Sequence, residues 1–398
     1  MINSGLWRSL VARSSGGRKV VSSNLASPTN KMSKLMLLKR KGALPAEQII
    51  ALHKLSSIKC LRPLTDNQIQ PASMDLRLSK KCWEVEASFL PGQKTSVRQK
   101  LSKLKKREID ISTFRTLTKG KIYIIQIQEE LSLPDNISAV ANAKSSTGRL
   151  DILTRLISDN SSCFDRIRKG YKGRVYVEIA PISFSITIRE GITLNQLRFH
   201  NEQKIIADQQ LEKLNSRFGI VENTTQIDNG ITISVNLKSK GDEPIGFKAR
   251  KNCPAINLSK LNFYKVETFW EKLFSRKGYI TLAPGAFYIL RSKEYITIPP
   301  QTAAEMVPYE VRMGEFRVHY AGFFDPGFGF TKNNTDKRSK AVLEIRCHET
   351  PFILQDSQII GKLIYETLSG LPNTTYGEMI GSNYQGQTLK LSKHFESW

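Results

Sequence analysis

The stretch Ala143-Lys144-Ser145-Ser146-Thr147-Gly148-Arg149-Leu150 gathers a cation, two serine hydroxyls, a glycine and an arginine directly after a run that reads as a strand. Such a turn suits an oligophosphate: glycine lets the main chain approach a ligand, successive N–H groups can form an anion-binding nest, and Arg149 offers a planar fork for oxygens. The same composition also describes an ordinary basic turn. In Val175-Tyr176-Val177-Glu178-Ile179 the apolar residues 175, 177 and 179 share one strand face. The Glu178 carboxylate therefore points away from the hydrophobic layer, as a solvated strand glutamate would or as an acid–base group would. Gln196 sits mid-strand in the alternating segment Gly191 to Phe199.

These groups need a rigid frame. Leu117 to Ile127, Ile137 to Ala141, Arg174 to Ile179, Phe184 to Ile188 and Ile192 to Phe199 are strand candidates separated by Gly, Pro, Asn and Asp turns. This is an all-β sandwich or barrel pattern rather than a βαβ one. Ala46 to Leu55 reads as a short helix behind Pro45, and Lys204 to Phe218 as a charged helix linking two halves. A length of 398 residues is enough for two full cores.

Ile69-Gln70-Pro71-Ala72-Ser73-Met74-Asp75-Leu76-Arg77-Leu78, the Ala143 to Leu150 turn, Val177-Glu178-Ile179 and the Gly191 to Phe199 segment resemble, in that order, the blocks of the bacterial dCTP deaminases of the dUTPase superfamily. The resemblance spans most of residues 44 to 200. It implies a mainly β fold of two tandem dUTPase-like distorted β-barrel or jelly-roll repeats with a few short helices. Residues 1–43 are then a basic tail without packed structure, 44–203 a first, catalytic repeat, 204–222 a linker, and 223–398 a second, degenerate repeat ending in a lid arm.

Internal repetition agrees with this division. Leu117-Thr118-Lys119-Gly120-Lys121-Ile122-Tyr123-Ile124-Ile125 recurs as Leu282-Ala283-Pro284-Gly285-Ala286-Phe287-Tyr288-Ile289-Leu290, and Gly148, Glu178 and Gln196 recur 166 residues later as Gly314, Glu344 and Lys362. The second copy has Val311, Arg312 and Glu315 in place of Ser145, Ser146 and Arg149. A carboxylate facing phosphate is repulsive, and a lost charge-assisted hydrogen bond forfeits about 1.5–3 kcal/mol. The first copy therefore reads as the pocket and the second as scaffold and lid. The second does keep Asp325-Pro326-Gly327-Phe328, where the first has Arg168-Lys169-Gly170-Tyr171.

The resemblance implies hydrolytic deamination of dCTP to dUTP and ammonia, supplying deoxyuridine and thymidine nucleotide precursors. Glu178 is the expected general base, taking a proton from the water that attacks C4, with Ser145 and Arg149 beside it. Lys144, Ser146 and Gln196 are expected to hold the triphosphate, with Mg²⁺ bridging its oxygens, and Tyr376, Tyr384 and Gln387 to close over it from the arm. Asp75 and Arg77 read as structural, paired with each other. On this reading Glu178→Gln abolishes turnover while substrate still binds, and Glu344→Gln does little. A dUTP diphosphatase of the same fold, or a bifunctional enzyme continuing to dUMP, would use the same phosphate-holding residues. The superfamily also implies a homotrimer, here of six repeats.

The net charge of +24 is concentrated in the acid-free N-terminal segment and in Lys94, Arg98, Lys100, Lys103, Lys105, Lys106 and Arg107, which reads as solvated tail and loop. Without interleaved aromatics this is a poor nucleic-acid platform. Five cysteines form no C-x-x-C pair, which argues for a reducing compartment, and the P-C-x-x-C motif that a zinc deaminase needs beside its H-x-E is missing, so no protein zinc site is expected. No apolar run reaches membrane-spanning length. The expectation is a cytoplasmic bacterial enzyme, or a mitochondrial matrix one if the N-terminal segment is a transit peptide.

Overall fold

Period-two patterning sets the frame. In the computed structural model the described residues are 40–65, 67–222, 225–239, 241–309, 316–318, 322–330, 339–377 and 384–398. The strand Ser73–Val85 buries Met74, Leu76 and Leu78 in the core while Asp75 and Arg77 line a cavity. It lies in an eleven-stranded sheet whose path runs Arg166–Ile167, Ile137–Ala143, Thr193–Asn201, Ser73–Val85, Ile122–Ser132, Lys172–Pro181 and Ile152–Ser158. The sheet curls into a nearly closed barrel, so the fold is mainly β with a few short helices. The helices Ala46–Lys54 and Asp208–Phe218 fall within the segments read as helical.

Beyond residue 230 the same pairings return. Tyr123 Oη accepts the Thr118 N–H, and Tyr288 Oη accepts the Ala283 N–H. Glu178 is opposite Ile124, and Glu344 is opposite Ile289. Gln196 is opposite Asn142, and Lys362 is opposite Val307. The apolar interior falls into two main clusters, and the first is shared: Trp270, Phe287, Leu391 and Phe395 pack with Leu76, Tyr123 and Val177.

Two expectations change here. Residues 1–39 lie outside the described residues, but Gly42–Ala43 are not tail: they pair with His200 and Asn201 and are buried. Gly42 holds φ +127°, and a Cβ there would sit 2.6 Å from Thr367 O, so only glycine fits this approach to the far half. The basic segment is not a loop either. It folds as the helix Val97–Leu104 followed by the strand Lys105–Asp110, which pairs with Ser73–Val85. Ser96 and Gln99 form a capping box, and Val97 and Leu101, one turn apart, bury against Trp83 and Tyr176. Most of its cations remain exposed.

Buried charge ties the two halves together. Arg198, fully buried in Thr193–Asn201, donates Nη2–H to Asp325 Oδ1 (2.9 Å) and Nη1–H to Glu366 Oε1 (3.0 Å), and its guanidinium stacks on Phe323. The His200 ring bonds the other Glu366 oxygen at 2.8 Å. Burial would raise the Glu366 pKa, but its interactions with His200 and with the Arg198 guanidinium outweigh it and hold the carboxyl at about 2. Asp325 is pushed up by burial, against the pull of Arg198.

Candidate active site

A cavity of about 440 Å³ opens between the halves. From the first come Lys144, Ser145, Ser146, Arg149 and Gln196; from the second, Glu344, Phe323, Asp325, Tyr376, Tyr384 and Gln387. The expectation that the first repeat alone forms the pocket is therefore not what the structure shows.

The Lys144–Arg149 turn follows directly from the Ile137–Ala143 strand as one short helical turn, Ser145–Gly148. Lys144 Nζ donates to the Asp75 carboxylate and to Thr193 Oγ1 (2.9 Å). Arg77 pairs instead with Glu129, Nε to Oε1 at 2.7 Å. The supposed Asp75–Arg77 pair is thus replaced by two others: Arg77 reaches Glu129 on the adjacent strand Ile122–Ser132, and Asp75 reaches Lys144 at the start of the turn. Gln196 donates to Ala143 O at 3.4 Å, fixing the strand end that carries the turn.

The C-terminal segment folds over this turn. Arg149 Nη2–H donates to Gln387 Oε1 (3.0 Å), Nη1–H donates to Lys390 O (2.9 Å), and Tyr384 stacks 3.9 Å from the guanidinium carbon. Ser392 Oγ donates to Ser146 O, and the His394 ring bonds Ser392 Oγ and Leu258 O. Burial, reinforced by Lys393, pushes His394 down to about 4, so its ring is neutral near pH 7. Tyr384 and Gln387 thus hold Arg149, while Tyr376 forms part of the wall with Phe328, ring centroids 5.7 Å apart.

The two glutamates are placed contrary to expectation. Glu178 is buried but does not line the cavity; its Oε1 accepts from Arg155 Nε at 3.0 Å, and the two residues face each other across paired strands. Glu344 lines the cavity. Its Oε1 stands 3.7 Å from Arg149 Nε, a buried N–H with no hydrogen-bond partner among the described residues. Burial pushes Glu344 up to about 7 against the opposing pull of Arg149. That suits a group that must gain and release a proton near neutrality. Sequence reading also missed Lys393, which lines the cavity and whose pKa is lowered by burial and by Lys144. Only the folded arm brings it there.

Known proteins share this chain's sequence pattern and fold. The chain matches the family described as 2'-deoxycytidine 5'-triphosphate deaminase (DCD), N-terminal domain, over residues 40–203, and its C-terminal domain over residues 207–395. A Streptomyces coelicolor protein named dCTP deaminase, dUMP-forming, is 30% identical over 137 residues, 34% of this chain and 68% of the relative. A Haloarcula marismortui dCTP deaminase is 27% identical over 145 residues, 36% of this chain and 71% of the relative. The crystal structure of 2'-deoxycytidine 5'-triphosphate deaminase from Agrobacterium tumefaciens is similar with a TM-score of 0.82 and 42% identity, covering 86% of this chain and all of that one. Fold, cavity and relatives together define a hydrolytic deaminase acting in nucleotide metabolism. The chain belongs to the dCTP deaminase family.

Proposed function

We propose that this chain deaminates dCTP to dUTP and ammonia in one site built from both halves, with Glu344 in place of Glu178 as general base. The observation that carries this is Glu344 in the cavity, 3.7 Å from Arg149 and held near pH 7, while Glu178 is bound by Arg155. Water attacks C4 of the cytosine; Glu344 takes one of its protons and passes it to N3, then carries the remaining hydroxyl proton to the C4 amino group, which leaves as ammonia as the C4 oxygen becomes a carbonyl. Arg149 steadies the carboxylate, and Ser145 helps place the water. Lys144, Ser146, Gln196 and Lys393 surround the triphosphate end. The acids lining the cavity, Asp75, Asp325 and Glu344, each face a protein cation, so Mg²⁺ would be carried by the phosphates rather than by a protein site.

The remaining readings go with this one. The chain is two copies of one unit, divided near residues 204–222, with the repeated strand pairings as support. Three chains assemble, which light scattering tests; a monomer at assay concentration would remove that assembly. The relatives named as dUMP-forming favour a second reading in which dUTP is hydrolysed further. Incubation with dCTP and Mg²⁺ followed by chromatography decides: dUTP supports simple deamination, dUMP the bifunctional enzyme, and unchanged dCTP sinks both.

Because Glu344 must be ionised to accept the proton, kcat is expected to rise with pH through about 7 and level off above it. A kcat that stays flat from pH 5 to 7 would exclude this carboxyl as the base.

A further inference from the structure

The seam between the halves carries a second charge pair next to the first. Residues 344 and 346 project from the same face of the strand Ser339–Cys347. They meet Arg149 and Asp151, which flank the fully buried Leu150. Arg149 faces Glu344 and Asp151 faces Arg346, so plus and minus on one element oppose minus and plus on the other. Asp151 is fully buried, in a left-handed conformation at φ +56°. Its Oδ2 accepts from Arg346 Nη2 and from Ser183 Oγ (2.6 Å), and Arg346 Nη1 donates to Gly285 O. Neither Asp151 nor Arg346 lines the cavity itself.

We propose that Asp151 and Arg346 are positioning residues for the deamination: their ion pair fixes the register in which the Glu344 strand lies on the Arg149 turn, and so the distance between base and guanidinium. The inference rests on Glu344 being the base. A slip of two residues along the strand would set Arg149 against Arg346, or Asp151 against Glu344, and like charges buried together are strongly disfavoured. The pair thus excludes the wrong registers as well as supporting the right one. The first half lacks this device. At the position 166 residues before Arg346 stands Ala180, and Glu178 Oε1 is held by Arg155 on its neighbouring strand. The Glu178 strand carries a glutamate without a register cation, which gives one site per chain.

The test is steady-state dCTP deamination by the full chain, read as ammonia release from pH 6 to 9. Arg346→Gln is expected to lower kcat roughly 10- to 100-fold, the scale of an ångström-level misplacement, with KM changed less than about threefold. The charged and titratable groups around Glu344 are Arg149 across the seam, Lys390 beyond Arg149, Tyr384 from the C-terminal arm of its own half, and Arg346 on its own strand. When Arg149 drifts away, its lowering effect is lost and the acid limb of kcat moves to higher pH, a shift that mere loss of stability does not produce. In the double variant Asp151→Asn with Arg346→Gln, kcat is expected to equal that of either single variant. Unchanged kcat in folded Arg346→Gln, a rise in KM alone, or multiplying losses in the double variant would overturn the proposal. If Arg346→Gln fails to fold, Arg346→Lys replaces it: a partial loss of kcat with the same alkaline shift supports the proposal, and a wild-type profile overturns it. Absence of dCTP deamination by the unmutated chain would instead remove the proposed function.

Discussion

Glu344→Gln is expected to reduce kcat for dCTP by about 10²- to 10⁴-fold, the usual worth of a positioned general base, with substrate still bound. The amide keeps the size and one hydrogen-bonding oxygen of the carboxylate, so the cavity and the 3.7 Å approach to Arg149 stay nearly the same. What disappears is the capacity to accept a proton from water. Equilibrium binding of dCTP to the variant, alongside single-turnover ammonia release, separates the two effects. Glu178→Gln is expected to leave kcat within a few-fold of the unmutated chain, since Glu178 is outside the cavity and bound to Arg155. Equal loss from both substitutions would mean that the chain uses two glutamates, and the one-site reading would fall.

The second large effect concerns stability. Arg198→Met is expected to cost about 3–5 kcal/mol at pH 7, the range for removing one partner of a buried charge cluster. Methionine fills much of the space over Phe323 but leaves the carboxylates of Asp325 and Glu366 facing each other without their shared cation. Part of Glu366's support remains in His200. The pH dependence carries the signature. In the unmutated chain Glu366 is held at about 2, below its ordinary 4.5. Its contribution is therefore present above about pH 4.5 and is lost as pH falls toward 2. In the variant the share of that contribution that comes from Arg198 is already gone while the larger His200 share remains, so the gap between the two proteins narrows on acidification. Urea unfolding at pH 7 and at pH 3 measures it; equal stability at pH 7, or a gap independent of pH, would show that the cluster does not hold the halves together.

Much of the frame was legible in the chain. The strands at Ile137, Lys172 and Thr193 and the helices at Ala46 and Asp208 follow from alternation, Pro45 and charge pattern, which are local properties. The basic segment was misread because its charge hides a sparse apolar period: Val97 and Leu101 are enough to fold it once Trp83 and Tyr176 supply a surface. The start of the body was set too late because Gly42 is explained by a carbonyl of residue 367, far along the chain.

For the site, sequence alone determined the family, the Lys144–Arg149 turn, the arm residues Tyr376, Tyr384 and Gln387, and a glutamate at the same strand position in each half. The tertiary structure decided which glutamate meets the turn. A strand's period fixes which face Glu178 and Glu344 occupy, but not what is laid against that face. Arg155 takes up the first glutamate, while the packing of one half on the other brings the second to Arg149. Contacts between residues nearly 200 positions apart depend on that packing, and no local pattern specifies it.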